Sequence, residues 1–221
     1  MITTDVQAWE EFRHHHLYFN KLWVAEQLGH YCGPGGTAPI VGSLRCIVRP
    51  IYNLYGMSIG AYSTNLSKDR PDEVPPGMFW CEYFTGKHYS INYTRYGYMW
   101  VAESCWEGIK DNGDGRFTMW NRSSHRIPLG GGAFWDNLQD VKHINVEFIG
   151  NNPIEIHLRH SPDPDYDQLV PVFTDSESVA ISMLTDNFRS KWEWIDDYDD
   201  CGGHLKAPRM GFWVRNVVKT S

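Results

Sequence analysis

The stretch HINVEFIGNNPIEIHLRHSPD, residues 143–163, decides the fold of this chain. Two segments with alternating apolar side chains flank Gly150-Asn151-Asn152, which is the pattern of a β-hairpin. A three-residue hairpin loop has a left-handed position that suits Gly or Asn, and its length fixes the register of the strands. Counting outward from such a loop places Glu147 opposite Glu155.

The predicted hairpin has one apolar and one polar face, because side chains alternate along a strand. The polar face carries Asn145, Glu147, Glu155, His157 and Arg159. The opposite face carries Val146, Phe148, Ile154, Ile156 and Leu158. We therefore expect the apolar face to join the core and the polar face to form a functional site.

Two carboxylates that face each other across a strand pair have Cβ atoms about 4.5–5.5 Å apart, which is destabilising unless a cation or proton lies between them. Mg²⁺ meets this need, since it binds one or two carboxylates and completes its shell with water and phosphate. Arg159 could hold a phosphate oxygen. An exposed hairpin face with solvated or ion-paired side chains is the alternative, and a two- or four-residue loop would separate Glu147 from Glu155.

These residues resemble the ATP-grasp family, in which a strand with an acidic metal ligand precedes a strand with the pattern Glu-x-Asn-x-Arg. The matching positions are Glu147 in NVEFIG and the run Glu155-Ile156-His157-Leu158-Arg159. The resemblance implies an α+β fold, with antiparallel sheets in two small lobes and a few helices. It implies one compact domain over residues 1–221, with the motifs in residues 40–165.

Two upstream segments are similar to further ATP-grasp motifs and follow in the family's order. LRCIVRPIYNLYGMSIGA, residues 44–61, implies a phosphate-binding cation at Arg49 and a glycine-rich loop whose members are Tyr52, Gly56, Ser58 and Gly60. MFWCEYFTGKHYSINY, residues 78–93, implies Glu82 at the hinge beside adenine, with the backbone of Tyr83 and Phe84 contacting the base.

The implied activity is ATP-dependent ligation, in which a small-molecule carboxylate becomes an acylphosphate that an amine or similar nucleophile attacks. ATP and Mg²⁺ are the implied cofactors, with Glu147, Glu155 and His157 as the metal-binding residues. His157 replaces the usual Asn, which favours Mn²⁺ or a role beside the metal rather than on it. The short stretch before Arg49 leaves three alternatives open: a reduced version is sufficient, a partner contributes, or the chain is a non-catalytic nucleotide-binding accessory protein of the same fold. A partner protein or a homo-oligomer is accordingly expected to be possible.

Local patterns predict the remaining elements. Helices are expected over residues 5–28, 134–141 and 176–194, and an acidic loop over residues 196–203. Strands are expected at 44–50 and 210–218, and the strands MFWCEYF and HYSINYTRYG are expected to be joined by the turn Thr85-Gly86-Lys87.

Three other motifs keep competing functions open. Gly56-Met57-Ser58-Ile59-Gly60 matches the nucleophile motif of serine hydrolases, with Asp163 or Asp165 and His204 as partners of Ser58, although no helix is expected to follow. Paired carboxylates can also serve glycoside hydrolysis. The run His14-His15-His16 is either a metal ligand set or a solvated helix face.

Composition excludes several classes of protein. The 221 residues are 42% hydrophobic and 21% charged, with a net charge of −7, which argues against nucleic acid as a partner. The five cysteines are odd in number and form no C-x-x-C pair, so neither a disulfide framework nor a zinc knuckle is expected. With no membrane segment and no basic-then-apolar start, we expect a cytoplasmic protein.

Overall fold

The computed structural model describes residues 2–40, 42–70, 73–110, 117–174, 191–205 and 207–217. Within these ranges the helices are α1 (Asp5–Glu11), a 3₁₀ segment (Arg13–Phe19), α2 (Lys21–Gln27) and α3 (Ala133–Asp136). The strands are β1 (Cys32–Pro34), β2 (Ser43–Pro50), β3 (Tyr62–Ser67), β4 (Met78–Glu82), β5 (His88–Tyr96), β6 (Met99–Lys110), β7 (Phe117–Arg122), β8 (His143–Ile149), β9 (Asn152–His157), β10 (Gln168–Phe173), β11 (Glu193–Asp199) and β12 (Arg209–Arg215).

The chain divides into two compact units. The first unit comprises Met1–Cys105 and His125–Pro162, and the second comprises Trp106–Ser124 and Asp163–Ser221. The first unit contains a four-stranded sheet of order β1-β4-β2-β3 and a run of strands in the order β6-β5-β8-β9. In the second unit the order is β11-β12-β10-β7-β6. Antiparallel sheets with few helices confirm the α+β class.

The apolar face of the hairpin β8–β9 lies in the core of the first unit. Val146, Phe148, Ile156 and Leu158 are at most 4% exposed and pack in one cluster with Ile91 and Tyr93 of β5. Each such side chain contributes about 1.5–3 kcal/mol when fully buried. Ile154 departs from the prediction, because it is only partly buried and lies outside this cluster.

The predicted helix over residues 5–28 is wrong as one continuous element. Thr4 caps α1 through a capping box with Gln7, and Asn20 caps α2 by accepting a hydrogen bond from the backbone N–H of Trp23. Between the two caps, Phe12 and His15 have non-helical backbone angles. Because a capping side chain satisfies the free N–H groups of a new helix, Asn20 begins a second helix instead of continuing the first.

The strands β4 and β5 exist where the sequence predicts them, but they do not pair with each other. β4 pairs with β1 and β2, whereas β5 pairs with β8. The connection passes close to the turn of the β8–β9 hairpin: Gly86 has φ 132°, and a Cβ there would lie 3.2 Å from the backbone of Gly150. The missing side chain at Gly86 therefore lets the chain cross from one sheet to the next.

Other local predictions have mixed outcomes. β2 confirms the predicted strand at residues 44–50, and β12 confirms the predicted strand at 210–218 up to residue 215. β3 is a strand that the sequence analysis does not predict, and β11 takes up half of the predicted acidic loop, residues 196–199. α3 is shorter than the predicted helix over residues 134–141. The predicted helix over residues 176–194 falls largely on residues 175–190, outside the described residues.

All five cysteines are free thiols. Among the described residues, every helix is too short or too polar to cross a bilayer.

Candidate functional site

Glu147 and Glu155 are directly opposed in the β8–β9 ladder, and Asn145 is opposed to His157, as the sequence predicts. The predicted loop is nevertheless wrong. Ile149 pairs with Asn152, so the loop is Gly150-Asn151, and Gly150 has the positive φ of 61° that suits the first position of a tight turn. A β-bulge between Glu147 and Phe148 adds the missing residue on β9. The bulge restores the register that a two-residue loop alone would destroy.

A protein cation lies against the carboxylate pair. The Nζ of Lys21 donates a hydrogen bond to Oε1 of Glu155, and Nη1 of Arg49 lies 3.7 Å from Oε2 of the same carboxylate. The three side chains are 11–16% exposed. Lys21 is the first residue of α2, immediately after the Asn20 cap, so the cap positions its side chain. Lys21 thus occupies the place in which we expected a divalent cation.

Sequence reasoning missed Lys21. It lies 134 residues before Glu155 and has the local context of an ordinary lysine at the start of a helix. No spacing rule connects the two positions.

Two histidines complete the polar surroundings of the pair. His88 Nε2 lies 3.0 Å from Oε2 of Glu147, and Nε2 of His157 lies 3.9 Å from Glu147 and 3.8 Å from Glu155. The other ring nitrogen of His157, Nδ1, lies 2.7 Å from Oδ2 of Asp5 on α1. His157 therefore bridges the N-terminal helix and the carboxylate pair.

The charges in this cluster are mutually compensated. Burial alone raises the pKa of Glu147, but the hydrogen bond and charge of His88, with the charges of His157 and Lys21, hold that pKa far below its usual range. Burial also raises the pKa of Glu155, and Lys21 and then His157 lower it further than burial and Glu147 raise it. Burial lowers the pKa of His157, whereas Asp5 raises it, and the net direction is upward.

Whether a metal ion fits beside Glu147 and Glu155 depends on the donor atoms and on the space around them. Two opposed carboxylates suit a hard cation. However, the ammonium of Lys21 already contacts Glu155, and the cavity lined by Lys21, Glu155 and His157 measures about 10 Å³, which is room for about one water molecule. In this conformation Glu147, Glu155 and His157 do not fit a divalent ion, because Lys21 would first have to leave.

The two arginines expected to bind phosphate have protein partners. Nε of Arg159 lies 2.8 Å from Oδ1 of Asp5, and its Nη1 donates to the carbonyl of His160 at 3.0 Å. Nη2 of Arg49 donates to the carbonyl of Ile154, the bulged residue, at 2.6 Å. Arg49, Arg159 and His157 are thus brought together with both glutamates in the first unit.

The residues expected at the adenine hinge lie at the end of β4. Oε1 of Glu82 accepts a hydrogen bond from the backbone N–H of Tyr31 at 2.9 Å, so this carboxylate stabilises the chain that enters β1. The guanidinium of Arg45 lies 3.9 Å from the ring centre of Tyr83, and Phe84 packs against His30.

The predicted phosphate loop, Tyr52 to Gly60, is a series of turns. Gly56 and Gly60 have positive φ angles of 69° and 76°, and so do Met57 (53°) and Ser58 (52°), for which this conformation is uncommon. Nδ2 of Asn53 donates to the carbonyl of Gly56 at 2.9 Å and closes the loop.

The serine-hydrolase alternative lacks its expected support. The segment after Ser58 continues as a turn into β3, whereas a nucleophile motif of this type leads into a helix. Asp165 accepts a hydrogen bond from Arg122, and Asp163 lies 3.8 Å from Arg209, so both carboxylates already have cationic neighbours.

No protein-family model matches the sequence, and no curated protein matches it. Solved structures do match the fold. Carboxyaminoimidazole ribonucleotide synthase from Aspergillus clavatus complexed with ATP has a TM-score of 0.54 and 10% identity, over 91% of this chain and 69% of that one. N5-carboxyaminoimidazole synthetase from Staphylococcus aureus complexed with ADP has a TM-score of 0.51 and 13% identity, over 92% and 68%.

An ADP complex of N5-carboxyaminoimidazole ribonucleotide synthetase gives a TM-score of 0.52 at 8% identity, over 92% of this chain and 69% of that one. These structures are ATP-grasp proteins. At such low identity the likeness shows the fold alone, and the chain has the ATP-grasp fold.

Proposed function

We propose that this chain, which has the ATP-grasp fold, is an ATP-dependent ligase that activates a carboxylate for attack by an amine or similar nucleophile. The observation that carries the proposal is the match of the fold to synthetases solved with ATP and ADP. The γ-phosphoryl group of ATP would pass to a carboxylate oxygen and ADP would leave. The nucleophile would then attack the acyl carbon, lose a proton and displace phosphate.

The positive groups around the hairpin suit such a reaction, because phosphoryl transfer depends mainly on positioning and charge stabilisation. Arg49, Arg159 and Lys21 lie within one cluster and would bind phosphate oxygens after exchanging their present carboxylate or carbonyl partners. The loop of Tyr52, Gly56, Ser58 and Gly60 would cover the phosphates and exclude water. Glu82, with the backbone of Tyr83 and Phe84, would contact the base.

The expected Mg²⁺ or Mn²⁺ at Glu147, Glu155 and His157 stays part of the proposal only for a conformation in which Lys21 has moved away. In the present conformation Lys21 supplies the positive charge. The steps above therefore rest on the chain's own residues.

A second candidate is a non-catalytic nucleotide-binding accessory protein of the same fold. One observation favours it: Lys21 is already paired with Glu155, in the place where the catalytic metal was expected. Such a protein would bind ATP without consuming it.

Trapping with hydroxylamine tests the ligase, since acylphosphates react with it to form hydroxamates. The protein would be incubated with MgATP or MnATP, hydroxylamine and a panel of carboxylic acids, and both ADP and hydroxamate would be measured. We expect both products from the native chain and from Glu10→Gln, which alters an exposed glutamate on α1, and neither from Glu155→Gln.

The other outcomes separate the candidates. A rise in thermal midpoint with nucleotide but no ADP from any acid would support the accessory protein over the ligase. Absence of any shift at millimolar MgATP and MnATP would contradict both.

A further inference from the structure

A second polar cluster consists of His14, His15 and Asp140, none of which belongs to the β8–β9 hairpin. Nε2 of His14 lies 2.8 Å from Oδ2 of Asp140, and Nε2 of His15 lies 2.7 Å from Oδ1. The three groups offer ligand atoms that all lie within 4.8 Å of one another. Two imidazoles thus converge on the two oxygens of one carboxylate.

The backbone explains why two consecutive histidines face the same partner. In a 3₁₀ helix, neighbouring side chains point about 120° apart. His15 departs from helical geometry, with φ −108° and ψ 22°, inside the segment Arg13–Phe19. This local break brings the two rings to 4.1 Å between centres, at an angle of 44°. The predicted solvated helix face is therefore wrong for His15, which is 8% exposed.

The third histidine of the run is not part of this cluster. His16 stacks on Trp9 with 3.5 Å between ring centres, and its Nε2 donates to the carbonyl of Trp9 at 2.9 Å. The run therefore contains two converging histidines and one that is held elsewhere. A flexible histidine tract would show no such division.

We propose that His14, His15 and Asp140 form a binding site for a divalent transition-metal ion such as Zn²⁺ or Co²⁺. A ligand set of imidazole nitrogens and one carboxylate binds these ions in preference to Mg²⁺ and Ca²⁺. Metal would bind Nε2 of each neutral imidazole, and the proton that Nε2 now directs towards Asp140 would move to Nδ1 of the same ring by exchange with water.

The surroundings of the cluster suit an accessible ion. The side chains of His14 and Asp140 are 64% and 48% exposed, so water can fill the remaining coordination positions. The ring of His15 is held edge-on against Tyr18, at 5.6 Å and 87°, so one ligand is already fixed in place. The histidines and Asp140 are 125 and 126 residues apart, and an ion would join the 3₁₀ segment to the turn before β8.

Thermal denaturation with ZnCl₂ or CoCl₂ tests the site on the full chain. We expect the metal to raise the thermal midpoint of the native chain, since a ligand of the folded state stabilises it by mass action. Asp140→Asn and His14→Gln alter exposed side chains and should bind the metal at least about tenfold more weakly. His16→Gln is the matched control within the same run and should respond like the native chain.

Cobalt spectra give a second measurement. Co²⁺ should show d–d absorption in the native chain and in His16→Gln, and this absorption should disappear in Asp140→Asn. A thiolate charge-transfer band would instead place the ion on a cysteine and overturn the proposal. So would equal binding by Asp140→Asn, loss of binding in His16→Gln, or the absence of any shift at millimolar metal. These outcomes leave the ligase proposal unaffected, because neither test uses nucleotide.

Discussion

Lys21 and Glu155 are 134 residues apart in the sequence and form a largely buried ion pair between α2 and β9. The pair explains how two glutamates can face each other in a ladder. The repulsion between Glu147 and Glu155 is offset by the ammonium of Lys21, by His88 on Glu147 and by His157 between the two. The first unit therefore places a charged cluster directly on the polar face of its sheet.

Replacing Lys21 should destabilise the protein strongly. Lys21→Met leaves a buried carboxylate without its nearest cation, and breaking a buried pair in this way costs about 3–5 kcal/mol. Urea unfolding at neutral pH measures the loss. Lys68→Met, at an exposed lysine after β3, should cost less than about 0.5 kcal/mol. Equal losses in the two variants would contradict the role of Lys21. In the double variant Lys21→Met/Glu155→Gln, part of the loss should be recovered, because the uncompensated charge is gone.

Removal of the lysine should also create a site for a hard cation. In Lys21→Ala the two facing carboxylates lose their ammonium and gain space, which suits Mg²⁺. We expect MgCl₂ without nucleotide to raise the thermal midpoint of this variant more than that of the native chain. Lys21→Ala/Glu147→Gln should lose the gain. A response to Mg²⁺ that is as large in the native chain would show that Lys21 does not exclude the ion.

The stability of the fold should depend on Asp5 in acid. Burial alone raises the pKa of Asp5, but His157, through its charge and hydrogen bond, and then Arg159 lower it from 3.8 to about 2. Because the pKa of Asp5 is lower in the folded than in the unfolded state, Asp5 adds roughly 2–3 kcal/mol to the free energy of unfolding at pH values above 3.8. This contribution is lost as the pH falls towards 2. The free energies of unfolding of the native chain and of Asp5→Asn should therefore differ at pH 5, and this difference should become smaller as the pH is lowered to 2. A difference that stays constant over this range would contradict the assignment.

Any side chain at Gly86 should destabilise the fold. Its φ is 132°, and an added Cβ would lie 3.2 Å from the backbone of Gly150, so neither the conformation nor the space suits alanine. Gly86→Ala should cost about 1–3 kcal/mol in urea unfolding. Gly130→Ala, where a Cβ meets open space, should be close to neutral. Comparable stability of the two variants would show that the crossing of the chain over the hairpin turn is not tight.

The sequence predicted the hairpin well because its signals are local. Alternating apolar residues made β8 and β9, and the glycine between them made the turn. The opposition of Glu147 and Glu155 was also correct, although through a different count: a two-residue loop and a bulge at Ile154 together give the register that a three-residue loop predicted. A single sequence contains no pattern that distinguishes a two-residue loop with a bulge from a three-residue loop.

What the sequence determined by itself is therefore which side chains share a face of the hairpin, apart from the bulged Ile154, and that segments such as β2, β8, β9 and β12 form strands. These features follow from the geometry of neighbouring residues. Only the tertiary structure decided that β4 and β5 belong to different sheets, that Asn20 begins a new helix, and that Lys21 lies against Glu155. The physical reason is that charge and packing act through space. A carboxylate is stabilised by whichever cation folding brings near it. Here that cation is Lys21, which lies 134 residues before Glu155 and outside the motif segment 40–165.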